Sequence, residues 1–163
     1  MATAPRTKSS AGTKIALAAG APATWDAAGF AAQVFKNIGK IKTGPEFGET
    51  FETVKNQYLS QRGTEKRKGT FDAGTITLEL DRIDDEGQLL AKAALRSDDD
   101  YTVRIQLQDG SGAYLRGVVT KFTSKVGGPN DMYSGSITID LNPIFTADDD
   151  EVAAIEFAAP AGP

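Results

Sequence analysis

Chemistry in this sequence is limited by the residue types that it lacks. The 163 residues contain no Cys and no His, so thiolate nucleophiles, zinc–thiolate sites, the commonest general base and the commonest transition-metal ligand are all missing. The carboxylates gather in three runs of adjacent acids: Asp84, Asp85 and Glu86; Asp98, Asp99 and Asp100; Asp148, Asp149, Asp150 and Glu151. Such runs are typical of helix caps and solvated turns, and the ligand spacing of a calcium loop is absent. The sequence therefore predicts no catalytic residue, no metal site and no cofactor, and we expect that the protein is not an enzyme.

The basic residues are most concentrated in one short segment, which contains Arg62, Lys66, Arg67 and Lys68. Residues 63–70 do not match a phosphate-binding loop, because the spacing of the glycines is wrong and no Lys follows Gly69. A single cluster of four cations without an aromatic residue inside it is a weak nucleic-acid site. A solvated loop and a loop that docks on an acidic protein surface remain as interpretations. We favour the second, because the chain itself supplies acidic surfaces.

Charge is divided unevenly along the chain. Residues 1–70 hold 11 Lys and Arg against 5 Asp and Glu, whereas residues 71–163 hold 7 against 17. The basic part of one copy attracts the acidic part of another, so this division predicts head-to-tail self-assembly. The predicted complementary acids are Asp84, Asp85, Glu86, Asp98, Asp99 and Asp100.

Alternation of apolar and polar residues predicts a mostly β protein with antiparallel strands. The predicted strands cover residues 13–19, 35–41, 49–54, 75–81, 101–108, 114–126 and 133–141. A helix is predicted over residues 84–96, because acids suit the positive end of its dipole and apolar residues recur on one face. A short helical turn or a compact loop is expected after Asp26. The predicted fold class is an antiparallel β-sandwich or part-barrel with one flanking α-helix.

The chain is about one domain long and divides into three predicted parts. Residues 1–12 are small and polar and predict a flexible arm, and residues 13–143 form the β-domain. Residues 144–163 are acidic and rich in Ala and Pro, which predicts an appended or disordered extension. Within the domain, residues 55–69 are polar without clear periodicity and predict a long loop, which in a compact domain is functional or disordered.

Two predicted strands carry polar faces with little charge. Their residues are Thr102, Arg104, Gln106, Gln108, Ser134, Ser136, Thr138 and Asp140. An ordinary solvent-facing sheet explains them, and so does a wetted wall that lines a channel. Because side chains alternate between the two faces of a strand, a register error of one residue would exchange this face with the core.

Membrane and export signals are weak. No run of about 18 apolar residues exists, so no membrane-spanning helix is predicted. Residues 6–23 resemble a signal peptide only in outline, because the apolar stretch is mostly Ala and Gly. An exported β-barrel that binds a small ligand therefore stays open as an alternative.

Several short motifs follow one another in a recognisable order. They are residues 22–30 (PATWDAAGF), 38–41 (IGKI), 47–50 (FGET), the basic segment and 69–78 (GTFDAGTITL), followed by the acid-started helix, the 107–110 turn and the 136–140 strand. This order resembles the major tail tube proteins of long, flexible-tailed, lambda-like siphophages. The likeness covers residues 9–142, and Trp25 stands where Tyr or Phe is expected.

The resemblance implies a tail tube fold and a structural role in the virion. In that family, hexameric rings stack into a tube, and the inner sheets of six subunits join into one barrel around passing DNA. Residues 57–69 match by position a loop that reaches the adjacent ring. The implied partners are further copies of the chain, a tape measure protein, a tail terminator and tail tip proteins, with DNA as a passenger and no membrane. The resemblance also implies assembly in the cytoplasm of the bacterial host. A second alternative is a tube or tail-completion protein of a contractile tail or a secretion system.

Overall fold

Twelve strands and two helices make up the part of the protein that the structure, a computed structural model, describes: residues 7–159. The helices are α1 (Ala27–Ala31) and α2 (Glu86–Ala94). The strands are β1 (Lys14–Ala19), β2 (Lys36–Ile38), β3 (Ile41–Thr43), β4 (Thr50–Asn56), β5 (Glu65–Asp72), β6 (Thr75–Asp81), β7 (Tyr101–Gln106), β8 (Gly112–Lys125), β9 (Ser134–Asn142), β10 (Ile144–Phe145), β11 (Glu151–Val152) and β12 (Ile155–Phe157). The predicted fold class, mostly β with antiparallel strands and a flanking helix, is confirmed.

One antiparallel sheet forms the body of the protein and curls back toward itself. Its strands follow the order β2-β1-β7-β8-β9-β6-β3, and β12 pairs with the start of β8. Only Gly39 and Lys40 join β2 to β3, although these strands lie at opposite ends of that order. Since successive Cα atoms are about 3.8 Å apart, the two edges of the sheet must approach each other, and the Asp81 N–H donates to the Lys40 carbonyl at 3.0 Å. The sheet is therefore a part-barrel, and the strand predicted over residues 35–41 is in fact two strands.

Apolar side chains fill the concave side of this sheet. Alternation along β6 and β9 buries one face of each strand, and the register places Leu78 opposite Ile137. α2 packs against β1, β2 and β8 and buries Ala91 and Ala94. Because apolar burial stabilises by about 25 cal/mol per Å², this pattern fixes which face of the sheet turns inward.

The helix predicted over residues 84–96 is confirmed, with shorter bounds. Asp84 has a φ angle of 53° and lies outside α2, whereas Asp85 caps it by accepting a hydrogen bond from the Gln88 N–H at 2.8 Å. The other carboxylate oxygen of Asp85 accepts from the Gly39 N–H at 2.6 Å. The start of α2 therefore holds the connection where the two sheet edges meet.

An aromatic cluster lies on the opposite face of the sheet. α1 begins after Asp26, whose carboxylate accepts from the Gly29 N–H at 2.7 Å, so the expected short helix is confirmed. Phe30 of α1 is buried and stacks on Tyr114 of β8 with ring centroids 5.4 Å apart. Phe157 of β12 contacts the same Tyr114 ring at 4.6 Å.

Two predicted segments differ in the structure. Residues 55–69, predicted as a long loop, contain the end of β4 and the start of β5, so only residues 57–64 connect the strands. Residues 144–163, predicted as an extension, contain β10, β11 and β12 within the described residues, and Ile144 is fully buried. The predicted end of the domain at residue 143 is therefore wrong, because the segment that follows pairs with β8.

Part of the predicted N-terminal arm, residues 1–6, lies outside the described residues. Lys8 forms an ion pair with Asp109 at 2.8 Å and donates a hydrogen bond to the Ser111 hydroxyl at 2.9 Å. The Lys8 ammonium, together with the hydroxyl and backbone N–H of Ser111, which also donate to the Asp109 carboxylate, holds the pKa of Asp109 well below its usual range. The later part of the arm is thus attached to the turn between β7 and β8.

Candidate assembly surface

The hairpin of β4 and β5 is exposed on both of its faces. Every residue of β4 is exposed, and in β5 only Gly69 and Phe71 are partly covered. The two strands pair with each other and with no other strand of the described chain. An isolated two-stranded hairpin is marginally stable in water, so contact with a further protein surface would stabilise this element.

One face of the hairpin is cationic, and we call Lys55, Lys66 and Lys68 its cationic face. Lys55 lies directly opposite Lys66, and Lys68 follows on the same side of β5 two residues later. The Lys68 ammonium lies 4.9 Å from the centre of the Phe51 ring, which contacts Phe71 at 5.6 Å. Like charges directly opposite each other destabilise a sheet, so this face favours an anionic partner.

The structure separates the four predicted basic residues. Lys66 and Lys68 lie on the cationic face, whereas Arg67 pairs with Val54 on the other face and Arg62 lies in the connection. None of the four forms an ion pair with another residue in the 7–159 range. The sequence identifies these charges but predicts a loop where β5 orients them. It also gives no role to Lys55, which follows Val54 in β4 and points to the opposite face of the hairpin.

Apolar side chains at the end of the hairpin are also exposed. Tyr58 and Leu59 lie in the connection between the strands, and Leu59 is fully exposed. Phe51 and Val54 of β4 are exposed as well. Exposed apolar residues on a projecting element make it a candidate interaction surface.

The predicted acids at the start of α2 are mostly engaged within the protein. Asp85 is the helix cap, and Asp84 forms an ion pair with Arg82 at 2.9 Å. Glu86 is exposed in the first turn of the helix. This group therefore offers a single unengaged carboxylate for a partner.

The second predicted group of acids lies beyond the other end of α2. Asp100 pairs with Arg116 at 2.5 Å and accepts from the Asn142 amide at 2.7 Å. The Asp99 carboxylate accepts from the Ser97 hydroxyl at 3.1 Å, and Asp98 is exposed. The structure thus places the six predicted acids in two separate groups and does not combine them into one surface.

A third acidic group was not among the predicted surfaces. The connection between β10 and β11 and the first residue of β11 form the acidic turn, which we define as Asp148, Asp149, Asp150 and Glu151, and all four are exposed. The Thr146 N–H donates to the Asp150 carbonyl at 2.9 Å, and the Asp149 N–H donates to the Thr146 carbonyl at 3.1 Å. Within the described residues none of the four forms an ion pair. The run is visible in the sequence, but the segment around it is predicted as an appended or disordered extension.

The predicted polar face of β9 lies on a broad polar surface that also includes β6 and β8. Cross-strand hydrogen bonds connect its side chains: Thr75 donates to Asp140 at 2.8 Å, and the hydroxyls of Thr123 and Ser136 are 2.7 Å apart. Thr138 and Ser134 lie on the same face by alternation. Alternation along β6 and β8 could have added Thr75 and Thr123 to the prediction.

The predicted polar face of β7 is different. Thr102 is 1% exposed, so its assignment to a lumen wall is wrong: its face of the sheet is covered by the chain itself. The Arg104 guanidinium lies over the Phe35 ring at 4.5 Å, and Gln106 donates to the Gly110 carbonyl at 3.4 Å. Gln108 is exposed beyond the end of the strand.

Neither a metal-ligand cluster nor a membrane-spanning helix is found in the described residues. Residues 7–159 contain no cluster of three acids, His or Cys that could hold a metal ion. Neither helix of the described chain has the length and apolar run that crossing a membrane requires.

Comparison with known proteins gives structural similarity only. No protein-family model matches the sequence, and no curated protein matches it. A chain from a cryo-EM structure of the anti-feeding prophage baseplate, six-fold symmetrised, is similar with a TM-score of 0.63 and 11% identity, covering 99% of this chain and 100% of that one. A chain from the sheath/tube terminator of an extracellular contractile injection system (PVC) in the extended state has a TM-score of 0.58 and 12% identity, with 96% and 100% covered.

A third similar chain comes from the sheath–tube complex of the same injection system in the extended state. Its TM-score is 0.53 at 13% identity, with 90% of this chain and 88% of that chain covered. These coverages show that the similarity extends over nearly the whole chain, including the C-terminal strands. The protein therefore shares its fold with chains of the anti-feeding prophage baseplate and of an extracellular contractile injection system.

Proposed function

We propose that this chain is the tail tube subunit of a long, flexible-tailed phage, a structural protein without catalysis. Copies assemble into hexameric rings that stack into a tube and guide DNA into the host. The chain is part of the virion tail and assembles in the cytoplasm of the bacterial host. Its partners are further copies of itself, a tape measure protein, a tail terminator and tail tip proteins.

The observation that carries this proposal is the β4–β5 hairpin, which projects with both faces uncovered. A projecting element that binds a different surface of the next copy makes a heterologous contact, and such contacts form rings or filaments. In the proposed tube the basic residues Arg62, Lys66, Arg67 and Lys68 contact the adjacent ring. The fold shared with chains of a six-fold symmetrised baseplate supports a ring of six.

The polar surface of β6, β8 and β9 supports the proposed conduit. Its side chains are mainly hydroxyls, and the acids Asp140 and Glu79 share the face with Lys121 and Lys125 of β8. Affinity for DNA depends on Lys and Arg that neutralise phosphates, so a wall of hydroxyls on which the two acids offset the two lysines holds DNA only weakly. We therefore assign Ser134, Ser136, Thr138 and Asp140 to the lumen.

A second candidate function is a tube or terminator component of a contractile injection system. The similar chains favour it, because their structures are a contractile system's baseplate, terminator and sheath–tube complex. The ligand-carrier alternative has less support, since core side chains such as Leu17, Leu78 and Leu115 fill the space inside the curled sheet.

Electron microscopy of the purified full chain tests these proposals. Long hollow tubes with six-fold end views support the tube subunit. Rings that do not elongate at any concentration support a terminator, and monodisperse monomers would overturn both. Adding a contractile sheath protein separates the first two candidates, because only a tube from a contractile system binds a sheath.

A further inference from the structure

We propose that the cationic face of the hairpin docks onto the acidic turn of a second copy of this chain. The inference rests on the proposed function, because it requires copies that assemble. It identifies the surface that receives the hairpin and places it in the C-terminal segment.

The hairpin supplies one half of the contact. The cationic face carries three ammonium groups, and no acid of residues 7–159 forms an ion pair with any of them. Lys55 and Lys66 are cross-strand neighbours and repel each other. Phe51 and Phe71 lie beside these charges, so the face combines cations with an aromatic pair, of which Phe51 is exposed and Phe71 is partly buried.

The acidic turn supplies the other half. Its four carboxylates lie within four consecutive residues and repel one another, since none has a cation partner within the described chain. The turn is held in shape by the Thr146 backbone, which bonds to Asp149 and Asp150. Phe145 precedes the turn and is half-exposed, so an aromatic ring lies beside the anions here as well.

Contact between the two surfaces relieves both repulsions at once, which makes the pairing specific. The other acidic groups are less suitable, because Asp85 caps α2 and Asp100 is bound by Arg116 and Asn142. Charge and aromatic character therefore both match the acidic turn.

The contact is made between copies and not within one. The Glu49 carboxylate, next to the base of the hairpin, accepts from the Ala153 N–H at 3.0 Å, so the base lies beside the segment that follows the acidic turn. The hairpin then extends seven residues along β4, which is roughly 23 Å at about 3.3 Å per residue. A second copy brings its own acidic turn to the extended part.

Charge reversal tests this pairing in the full chain. Two double variants each place like charges against each other at the contact. The hairpin variant is Lys66→Glu with Lys68→Glu, and the turn variant is Asp148→Lys with Asp150→Lys. We expect each to raise the critical concentration for assembly about tenfold or more, as reversed charges across an interface do. The quadruple variant restores opposite charges, and we expect it to assemble within about threefold of the wild type. Sedimentation measures assembly, and circular dichroism confirms that each variant is folded.

A matched control is Glu86→Lys with Asp98→Lys, which makes the same change of charge at two exposed acids outside the acidic turn. We expect this control to assemble like the wild type and not to rescue the hairpin variant. Failure of the quadruple variant to recover, with wild type assembling, overturns the pairing and leaves the proposed function standing. Rescue by the control instead of the turn variant also overturns it. If the wild type does not assemble under any condition, the proposed function fails and the pairing fails with it.

Discussion

Gln88 is a polar side chain buried where the two edges of the sheet meet. Its amide donates to the Asp81 carbonyl at 2.9 Å and to the Gly39 carbonyl at 3.2 Å, and its oxygen accepts from the Ile83 N–H at 3.3 Å. Gln88→Leu leaves these backbone groups without partners, and a buried unsatisfied group costs about 1–3 kcal/mol. We expect the free energy of unfolding of the unassembled chain to fall by about 2–4 kcal/mol, measured by urea denaturation.

Lys92→Leu on the exposed side of the same helix is the control. It makes the same kind of substitution without removing a buried hydrogen bond, so it changes stability by less than about 0.5 kcal/mol. Equal stabilities for the two variants would contradict the role assigned to Gln88.

Asp26 makes the stability of α1 dependent on pH. The Gly29 N–H and the Thr24 hydroxyl donate to its carboxylate, and these bonds lower its pKa from the usual 3.8. A group whose pKa is lower in the folded state stabilises the fold above pH 3.8, and this stabilisation is lost as the pH falls through the folded value. Asn also caps helices but does not titrate, so Asp26→Asn isolates the effect.

We expect the melting temperature of the wild type to fall more steeply than that of Asp26→Asn when the pH drops below 3.8. Scanning calorimetry of both proteins between neutral pH and about pH 2 measures the difference. Parallel curves for the two proteins would mean that the cap does not couple to protonation.

The β4–β5 hairpin carries the prediction that distinguishes folding from assembly. Replacing Arg62, Lys66, Arg67 and Lys68 with Ser removes exposed charges that have no ion-pair partner in residues 7–159. Stability should change by no more than about 0.5 kcal/mol per site, while ring stacking is impaired because the cations that contact the next ring are lost. Circular dichroism measures folding and stability, and electron microscopy shows whether rings stack into tubes.

A control with the same loss of charge replaces exposed cations away from the hairpin and the proposed lumen wall: Lys14, Lys36, Lys92 and Arg96. This control should still form tubes. Full-length tubes from the hairpin variant would show that its cations do not dock.

Elements with one buried face could be predicted from the sequence, and elements without one could not. β6 alternates strictly because Leu78 and its neighbours face the core, and the strand was found. β5 has no buried face, so its residues from Glu65 to Lys68 show no apolar period although they form a strand. β12 is three residues long in a stretch rich in Ala, and its pairing with β8 depends on contacts distant in sequence.

In the candidate site, too, the sequence shows which face of a strand is polar but not what covers that face. Alternation correctly placed Ser136 and Thr138 on one face of β9, but alternation alone cannot show what covers a polar face. Thr102 alternates just as well and is buried, because the outer face of β1 and β7 is closed by other parts of the chain. Tertiary contacts therefore decide which polar strand faces reach solvent.

The whole molecule combines a projecting cationic element with an acidic surface, so its assembly should depend on ionic strength. Screening shortens the range of exposed charge interactions to about 3 Å at 1 M salt, against about 10 Å at 0.1 M. We expect the critical concentration for assembly to rise at least about tenfold between about 0.05 M and 0.5 M NaCl. An interface held mainly by apolar contacts behaves differently, because salt does not screen apolar burial.

The variant with four Ser substitutions in the hairpin provides the internal comparison. Its weaker assembly should show a smaller salt dependence, measured by sedimentation of both proteins across the same salt series. Identical salt dependence in the two proteins would show that the attraction between copies comes from charges outside the hairpin.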